Sequence, residues 1–497
     1  MRIYCTEVME SSCPVLQPGQ CELLLRVNVD NHYFVVKKGL LAQHCEYFRA
    51  LFQSGMKECQ KDEICLQCVG LLGFGVMLKV LEGSQPMLNG DQIVEAIECT
   101  AFLQVPLLTK HLINIIDSEN CLLMFHTAST YGVWELFHDS ALFIRDMYAD
   151  LKEDLRALPQ TLTEYVESLI PARYMAVCSH SPSGDKLEDC HRTVCYLDEE
   201  VKEWKVLTQL PSNSSTTMSG VAVLNNKLYI VGGVHDVSKK IVQSGFCYNP
   251  LNNSWSTICR PNQLRYNLTL VGHEGCLFAI GGECEHKELT SVEKYQVGNG
   301  CWTGISPLPR PSASTVSATV LNRILICLWK GKGVTEVFEY LPQKDQWKLE
   351  TTLVREQSYG LCMVGHRDNL YVMRNGPCND FLLCVMDCYN LNSRQWTAMP
   401  GQYVNSKGSL FTAAVRGDSV FTLSRKVTTE YTIEDYKWRS KREMSGFGRI
   451  GSIYTFLMRL PQATLSLTER STVSAPTHRS GDIVGHRRNL VRCVENI

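Results

Sequence analysis

The sequence predicts a chain of several domains: an α+β domain, a short α-helical segment and an all-β propeller of six blades. Three observations support this fold class. The 497 residues suffice for about three structural units. The hydrophobic pattern changes from a helical period to an alternating one near residue 172. Beyond that point, a tyrosine followed by a tryptophan recurs at a nearly constant period, which indicates repeated β-sheets.

Composition narrows the classes of function. The chain is 44% hydrophobic and 20% charged, which is typical of folded domains. Its net charge of -2 gives no electrostatic reason to expect nucleic-acid binding. The 23 cysteines are odd in number and irregularly spaced, which favours reduced thiols over a disulfide scaffold.

The chain carries no evident targeting or membrane segment. The N-terminus contains Glu7 and Glu10 and lacks the basic start and apolar stretch of a signal peptide. No run of 18 mainly apolar residues occurs, so we expect no membrane partner. We expect a soluble, cytoplasmic protein and leave open cytoskeletal or nuclear pools.

The N-terminal part begins as an α+β unit. Residues 22–29 alternate apolar and polar side chains and are predicted to pair with 32–36 across a turn at Asp30-Asn31. Phe48 and Phe52 then lie one helical turn apart, which predicts a helix with a buried face.

Helical patterns continue to about residue 170. Asp91 is placed to cap a helix that ends at Val105-Pro106, because a residue before proline disfavours helical geometry. A helical hairpin follows, with a break at Gly132. The apolar stripe of its second helix is predicted to include Trp134 and Phe137.

The all-β part is recognised by six repeated aromatic pairs. Five of the six have a spacing of seven residues, and successive tryptophans lie 42 to 51 residues apart, as expected for four-stranded blades. We expect these rings to be core residues that fill the wedge between neighbouring blades. The pairs are Tyr196 and Trp204, Tyr248 and Trp255, Tyr295 and Trp302, Tyr340 and Trp347, Tyr389 and Trp396, and Tyr431 and Trp438.

A predicted hairpin precedes each of the later pairs. In two of the repeats the hairpin ends in a diglycine, Gly232-Gly233 and Gly281-Gly282, where absent Cβ atoms permit a sharp exit from the sheet. The first repeat lacks an innermost strand. Residues 451–458 are apolar enough to supply it and close the ring, which leaves no free sheet edge.

Because of these features, residues 172–460 resemble six kelch repeats, of which the last three lack the diglycine. Residues 20–117 resemble a BTB domain, through FVVKKGLLAQHCEYFRALF at 34–52, SGMKE at 54–58 and AFLQV at 101–105. Residues 118–171 resemble a shortened BACK domain, through Asn120-Cys121-Leu122 and Tyr131-Gly132. An N-terminal extension, 1–19, and a disordered tail, 461–497, complete the predicted organisation. The chain is similar to kelch-like and kelch-repeat-and-BTB proteins.

This resemblance implies a substrate adaptor of a cullin-3 ubiquitin ligase that forms homodimers through its BTB domain. Met56 and Glu58 match the apolar-x-acid motif that similar BTB domains present to cullin-3, after a helix that carries Tyr47 and Phe48. The simpler interpretation of this motif is a helix end with a core methionine and a solvated glutamate. Such an adaptor has no catalytic residues of its own, and catalysis belongs to other subunits of the ligase.

The propeller would hold a protein substrate on the face where the loops between strands converge. An arginine recurs at the same place before three blades, and these side chains could face an acidic segment. Hydrogen bonding of the same arginines to backbone carbonyls is an equally good interpretation. The substrate-binding candidates are Arg265, Tyr266, Arg310, Arg355, Tyr359, His235 and Arg374.

Other chemistry has weaker support. Cys65 and Cys68 form a single CxxC, which we interpret as structural thiols rather than a zinc site. No nucleotide-binding or hydrolase motif is present, so we expect no enzyme activity, cofactor or metal. Some propellers are copper oxidases, but the BTB-like domain argues against that interpretation.

The main alternative to a cullin-3 adaptor is a kelch scaffold for actin or another cytoskeletal partner, without cullin. A BTB transcriptional regulator is weakened by the absence of zinc fingers or a basic patch.

Several cysteines fall at predicted strand or helix positions, where a reduced thiol acts as a small buried hydrophobe. They are Cys99, Cys121, Cys247, Cys276, Cys327, Cys362 and Cys388.

Overall fold

A computed structural model describes most of the chain between residues 23 and 465. No helix in this part has the length and apolar character that a membrane span requires. The predicted N-terminal extension and residues 466–497 of the predicted tail lie outside it. The described residues are 23–55, 61–180, 191–212, 214–215, 217–235, 240–355, 359–378, 381–401, 403–404, 412–424, 428–433, 435–441 and 453–465.

The described chain opens with a three-stranded sheet. Strands β1 (Leu24–Val29) and β2 (His32–Lys37) form an antiparallel hairpin, and β3 (Glu63–Leu66) pairs with β1 in parallel. Asp30 and Asn31 make the turn with φ of 48° and 62°, the left-handed geometry of a tight hairpin. The predicted hairpin and its turn are therefore confirmed.

Helices surround this sheet and continue beyond it. They run in chain order as α1 (Lys38–His44), α2 (Glu46–Gln53), α3 (Leu71–Leu81), α4 (Gly90–Leu103), α5 (Pro106–Asn114), α6 (Cys121–Tyr131), α7 (Trp134–Asp146), α8 (Tyr148–Leu155) and α9 (Gln160–Ser168).

Two helix predictions need correction. Asn89, rather than Asp91, caps α4, because its side chain accepts from the backbone of Gln92 while the Gln92 side chain accepts in return from the backbone of Asn89. The apolar face of α7 is formed by residues such as Phe137, whereas Trp134 is 69% exposed. The predicted break at Gly132 is confirmed, since this residue ends α6 with φ of 71°.

The rest of the described chain is built of antiparallel sheets. Its strands are β4 (Ala172–His180), β5 (His191–Asp198), β6 (Glu203–Gln209), β7 (Gly220–Leu224), β8 (Lys227–Val231), β9 (Gly245–Asn249), β10 (Ser254–Ile258), β11 (Thr269–His273), β12 (Cys276–Ile280), β13 (Glu283–Cys284), β14 (Lys287–Glu288), β15 (Val292–Gln296), β16 (Cys301–Ile305), β17 (Val316–Val320), β18 (Arg323–Gly331), β19 (Val334–Leu341), β20 (Gln346–Val354), β21 (Tyr359–His366), β22 (Asn369–Cys378), β23 (Phe381–Asn390), β24 (Gln395–Ala398), β25 (Tyr403–Val404), β26 (Thr412–Arg416), β27 (Ser419–Leu423), β28 (Thr428–Thr432), β29 (Lys437–Lys441) and β30 (Tyr454–Arg459).

These strands form the six predicted blades. Blade 1 is β7 to β10, blade 2 is β11, β12, β15 and β16, blade 3 is β17 to β20, blade 4 is β21 to β24 with β25, blade 5 is β26 to β29, and blade 6 is β30, β4, β5 and β6. The first strands touch in a closed cycle, from β7 through β11, β17, β21, β26 and β30 back to β7. Strand β30 pairs with β4, so the C-terminal strand closes the ring as predicted.

The pairing of the third and fourth strands explains the repeated pairs of tyrosine and tryptophan. In five blades the tyrosine on the third strand lies opposite the tryptophan on the fourth, as Tyr295 does with Trp302 at 5.1 Å between ring centroids. In blade 6 the spacing is eight residues, so Trp204 lies opposite Leu197, the residue seven positions before it, and not opposite Tyr196. The spacing of seven is thus the sequence signal of a cross-strand pair.

Trp302 and Trp347 also join neighbouring blades. The indole N–H of Trp302 donates to the carbonyl of Cys259 at 2.8 Å, and that of Trp347 donates to the carbonyl of Ser306 at 2.9 Å. Each of these two bonds reaches back to the blade before, so these two tryptophans tie their blades to the preceding one.

The diglycines allow close approach between blades. Gly281 and Gly282 have φ of 56° and 97°. A Cβ atom on Gly282 would lie 2.7 Å from the carbonyl oxygen of Tyr266, and one on Gly281 would collide with the carbonyl of Ser312. Glycine is therefore required where the chain leaves β12.

The first five residues of the predicted disordered tail are ordered. Residues 461–465 pack on the propeller: the buried hydroxyl of Thr464 donates to the carbonyl of Pro250 at 2.7 Å, and Leu465 packs against the core between blades 6 and 1.

The cysteines predicted to be core thiols are buried, and burial raises the pKa of Cys327 and Cys362 to about 12. Cys65 and Cys68 are both exposed, so the expectation that they pack as structural thiols is wrong.

Candidate functional site

The propeller has two faces. Its lower face carries the turns between first and second strands, including Glu274, Arg367 and Asp418. Its upper face carries the turns between second and third strands, such as 331–333, and the loops that lead into each next blade, such as 355. A partner that binds the propeller has to approach one of these faces or the outer rim.

The lower face is held by the helical part of the chain. Lys110 on α5 forms an ion pair with Glu274 of blade 2, and Asn322 of blade 3 donates to the same carboxylate at 2.7 Å. Arg459 on β30 makes a bidentate ion pair with Asp146 at the end of α7, with both bonds at 2.7 Å.

A partly buried polar cluster lies at the centre of this contact. Asp418 accepts hydrogen bonds from Ser118, His366 and Arg367, and Arg367 also lies 3.6 Å from Asp117. Burial alone would raise the pKa of Asp418, but the hydrogen bonds from His366 and Ser118 and the charge of Arg367 outweigh it and lower the pKa to about 2. The helices and the propeller are thus joined by charged groups as well as by packing.

On the upper face, Arg265 is not available to a substrate. Its guanidinium is fully buried, pairs with Glu293 at 2.6 Å, and donates to the carbonyls of Gly281 and Ser291 at 2.8 and 2.9 Å. This matches the alternative interpretation of the repeated arginines as structural donors. The alternative in which all three arginines face an acidic segment does not hold for Arg265, because its guanidinium is enclosed within blade 2.

The other two arginines of the series remain partly accessible. Arg310 pairs with Glu336 and donates to the carbonyl of Leu328 at 2.8 Å. Arg355 pairs with Asp387 at 2.6 Å, and Arg374 binds the other oxygen of Asp387 at 2.8 Å. Each of these arginines forms an ion pair with an acidic residue on the third strand of a blade.

The remaining candidates are placed differently. Tyr266 is buried, and its backbone pairs with Glu283 beside blade 2. His235 is half-buried after β8, and the side chain of Tyr359 lies outside the described residues. The structure therefore brings Arg355 and Arg374 together on one carboxylate but does not unite all seven candidates.

One exposed aromatic residue on the upper face was missed by the sequence reasoning. Trp329 near the end of β18 is 66% exposed. The sequence does contain a signal for this exposure: Trp134 and Trp329 are the two tryptophans outside the six repeated pairs, and both are exposed.

In the N-terminal domain, Met56 and Glu58 lie outside the described residues. Phe48 is fully buried in the core and cannot contact a partner directly. Tyr47 is half-buried beside Phe102, which is exposed, with their ring centroids 5.2 Å apart. Of these candidates, the described residues thus place Tyr47 next to an accessible apolar side chain.

Within the described part of the chain, no group of three or more His, Cys, Asp or Glu side chains is arranged to hold a metal ion.

Comparisons with known families agree with this architecture. Residues 16–120 match the model of the BTB/POZ domain, and residues 215–258 and 264–309 match the Kelch motif. The two Kelch matches cover blades 1 and 2, whose second strands end in the diglycine.

Relatives match nearly the whole chain. Kelch repeat and BTB domain-containing protein 13 of Homo sapiens is 47% identical over 88% of this chain and 96% of its own length. The Mus musculus protein of the same name is 46% identical over 90% of this chain and 98% of its own length. Kelch-like protein 42 of Mus musculus is 26% identical over 87% of this chain and 98% of its own length. Together with a BTB domain, a helical segment and a closed ring of six blades, these matches show that the chain belongs to the BTB-kelch family.

Proposed function

We propose that this chain is a non-catalytic substrate adaptor of a cullin-3 ubiquitin ligase. The BTB domain binds cullin-3 and forms the homodimer, and the upper face of the propeller binds the protein to be ubiquitinated. Two linked copies make substrate capture bivalent, which raises apparent affinity without any new contact. We propose a cytoplasmic location for this complex.

The observation that carries this proposal is the attachment of the propeller through its lower face. Lys110, Asp117 and Asp146 of the helical part bind Glu274, Arg367 and Arg459 of the propeller. A partner on the upper face is then held at a fixed orientation to the BTB domain, as an adaptor requires.

The test is co-precipitation of cullin-3 from cells that express the full chain. The double change Met56→Asp and Glu58→Lys removes the apolar anchor and reverses the acid of the proposed cullin motif. We expect wild type to recover cullin-3 and this variant to lose most of it, while Glu82→Lys, an exposed change at the end of α3, serves as the matched control and retains it.

The adaptor function is rejected if the wild-type chain recovers no cullin-3. If the chain instead sediments with actin filaments, the scaffold alternative takes its place. Thermal denaturation of all variants establishes that each is folded.

A further inference from the structure

The three-stranded sheet of the BTB domain carries apolar side chains on both of its faces. One face packs on the helices through buried residues such as Leu25, Val27 and Val36. A sheet that packs on one side only normally has polar residues on the other side. The opposite face, which we call the outer face, is formed by the residues that alternate with the buried ones along the three strands: Leu24, Arg26, Asn28, Tyr33, Val35, Lys37, Glu63 and Cys65.

The apolar side chains of the outer face form one stripe across two strands. Val35 on β2 pairs with Arg26, two residues after Leu24 on β1, so Leu24 and Val35 are diagonal neighbours. Such neighbours in an antiparallel pair lie about 7–8 Å apart, within reach of large side chains. Tyr33 shares this face two residues before Val35. The three side chains are 57%, 59% and 61% exposed for Leu24, Tyr33 and Val35, so the described part of the chain does not cover the stripe.

The chain that leads into this sheet begins beside the stripe. Leu23, the first described residue, is 69% exposed and directly precedes Leu24. Residues 1–22 include the apolar pair Val15-Leu16 and, after it, the dipeptide Pro18-Gly19. Proline followed by glycine is favoured at the two central positions of a type II turn, which reverses the direction of a chain. The sequence therefore directs the apolar pair back towards the stripe.

The N-terminal segment is long enough to cover the whole stripe. A turn at Pro18-Gly19 sends the preceding residues back past Leu23 and Leu24. The six residues of β1 span about 20 Å, and residues 1–12 span up to about 40 Å, at about 3.3 Å per residue. This length suffices to reach Tyr33 at the far end of the stripe.

Covalent attachment favours this segment over a separate molecule. A group tethered by a short linker is held at an effective concentration in the millimolar range. A second copy of the chain or another protein with equal affinity for the stripe has to reach that concentration to compete. Contiguous exposed apolar surface is rare on folded proteins, so a tethered apolar segment is its expected cover.

We propose that residues 13–17 fold back across the outer face and cover its apolar stripe within the same chain. Val15 and Leu16 pack against Leu24 and Val35, and the residues before them extend towards Tyr33. The N-terminal segment is then a packed part of the BTB domain, and the outer face is closed to other proteins. This inference is independent of the proposed ligase function, because cullin-3 takes no part in its test.

Hydroxyl-radical footprinting of the full chain, read by mass spectrometry of its peptides, measures the access of water to individual side chains. The propeller supplies matched controls: Leu251, which is 72% exposed, for Leu24, and Tyr436, which is 47% exposed, for Tyr33. We expect the two outer-face side chains to be oxidised about tenfold more slowly than their controls, which corresponds to a covered state populated about 90% of the time.

A double variant tests which residues provide the cover. Val15→Asp with Leu16→Asp places two charges in the apolar pair and should raise the oxidation of both outer-face side chains to the rates of their controls. Ser11→Asp with Ser12→Asp adds the same charges to the same segment but leaves the apolar pair intact, and it should keep the protection. Thermal denaturation establishes that each variant is folded, and the comparison within the wild-type chain needs no variant.

The cover is refuted if the two outer-face side chains of the wild-type chain are oxidised as fast as their controls, or if the Val15→Asp, Leu16→Asp variant keeps them protected. Protection that disappears on dilution assigns the outer face to a second copy of the chain. Protection that disappears on removal of residues 466–497 assigns it to the C-terminal tail. Either of these results also overturns the proposal.

Discussion

Replacing Arg265 with alanine should strongly destabilise the propeller. The Arg265 guanidinium makes the 2.6 Å ion pair with Glu293, donates to two carbonyls of blade 2, and hydrogen-bonds to Ser291 Oγ at 3.1 Å and to the Gln263 carbonyl at 3.3 Å. Removal of one member of a buried pair costs about 3–5 kcal/mol, because the remaining charge has lost its partner and stays out of water. Such a loss should lower the unfolding temperature by at least about 6 °C.

Thermal and urea denaturation of the full chain measure this effect. Arg260→Ala is the control, because Arg260 lies in the same loop and is exposed. Adding Glu293→Gln to the Arg265→Ala chain should restore part of the lost stability, since it removes the unpaired charge and keeps one of the two oxygens that accept separately from the backbone N–H groups of Asn262 and Gln263. The structural role of Arg265 is refuted if Arg265→Ala unfolds like Arg260→Ala.

Three further predictions concern the ring and its attachment. Gly281→Ala should lower the free energy of unfolding by about 1–3 kcal/mol, because φ is 56° and the new Cβ meets the Ser312 carbonyl; Gly298→Ala, in open space, should have little effect in the same urea titration. Trp347→Phe should cost about 1 kcal/mol for the lost bond to the Ser306 carbonyl, measured by denaturation, and an unchanged stability would contradict its role between blades. The folded-state pKa of Asp418 is about 2, below its unfolded value, so its contribution to stability is complete above about pH 4 and is lost as pH falls towards 2. Asp418→Asn should flatten this part of the stability curve, and an unaltered acid transition would contradict the assignment.

The sequence predicts the propeller well because each blade repeats the same local contacts. Tyr295 and Trp302 lie opposite each other because their spacing of seven fixes the register of two adjacent strands. The turn at Asp30-Asn31 is equally local, since two residues with positive φ suffice to define it. Closure by β30 could be predicted as well, because blade 6 otherwise lacks a strand.

The roles of the repeated arginines could not be read from their positions alone. Arg265 and Arg355 occupy equivalent loops, but the guanidinium of Arg265 is fully buried while Arg355 is 35% exposed. Arg265 pairs with Glu293 and Arg355 pairs with Asp387, and each acid lies two residues before the tyrosine of the blade that follows the loop. This pattern can be recognised as a sign of ion pairing only when the pairing of the strands is already known. Loop order therefore locates an arginine without giving its solvent exposure.

Contacts between the helices and the propeller depend on how two folded units sit against each other. Lys110 and Glu274 are 164 residues apart, and no local pattern connects them. The exposure of the Trp329 side chain could likewise not be predicted from the hydrophobic periodicity, because β18 is apolar throughout its middle and extends beyond the buried part of the blade. These features follow from tertiary packing.

The central claim, that this chain links a propeller-bound protein to cullin-3, is tested most directly with purified components. Size-exclusion chromatography with light scattering on the full chain and the N-terminal domain of cullin-3 measures the mass of the complex. We predict co-elution at the mass of two adaptor chains with two cullin domains, and loss of that peak for the Met56→Asp, Glu58→Lys variant. Separate elution of the wild-type chain and the cullin domain at micromolar concentration would contradict the claim.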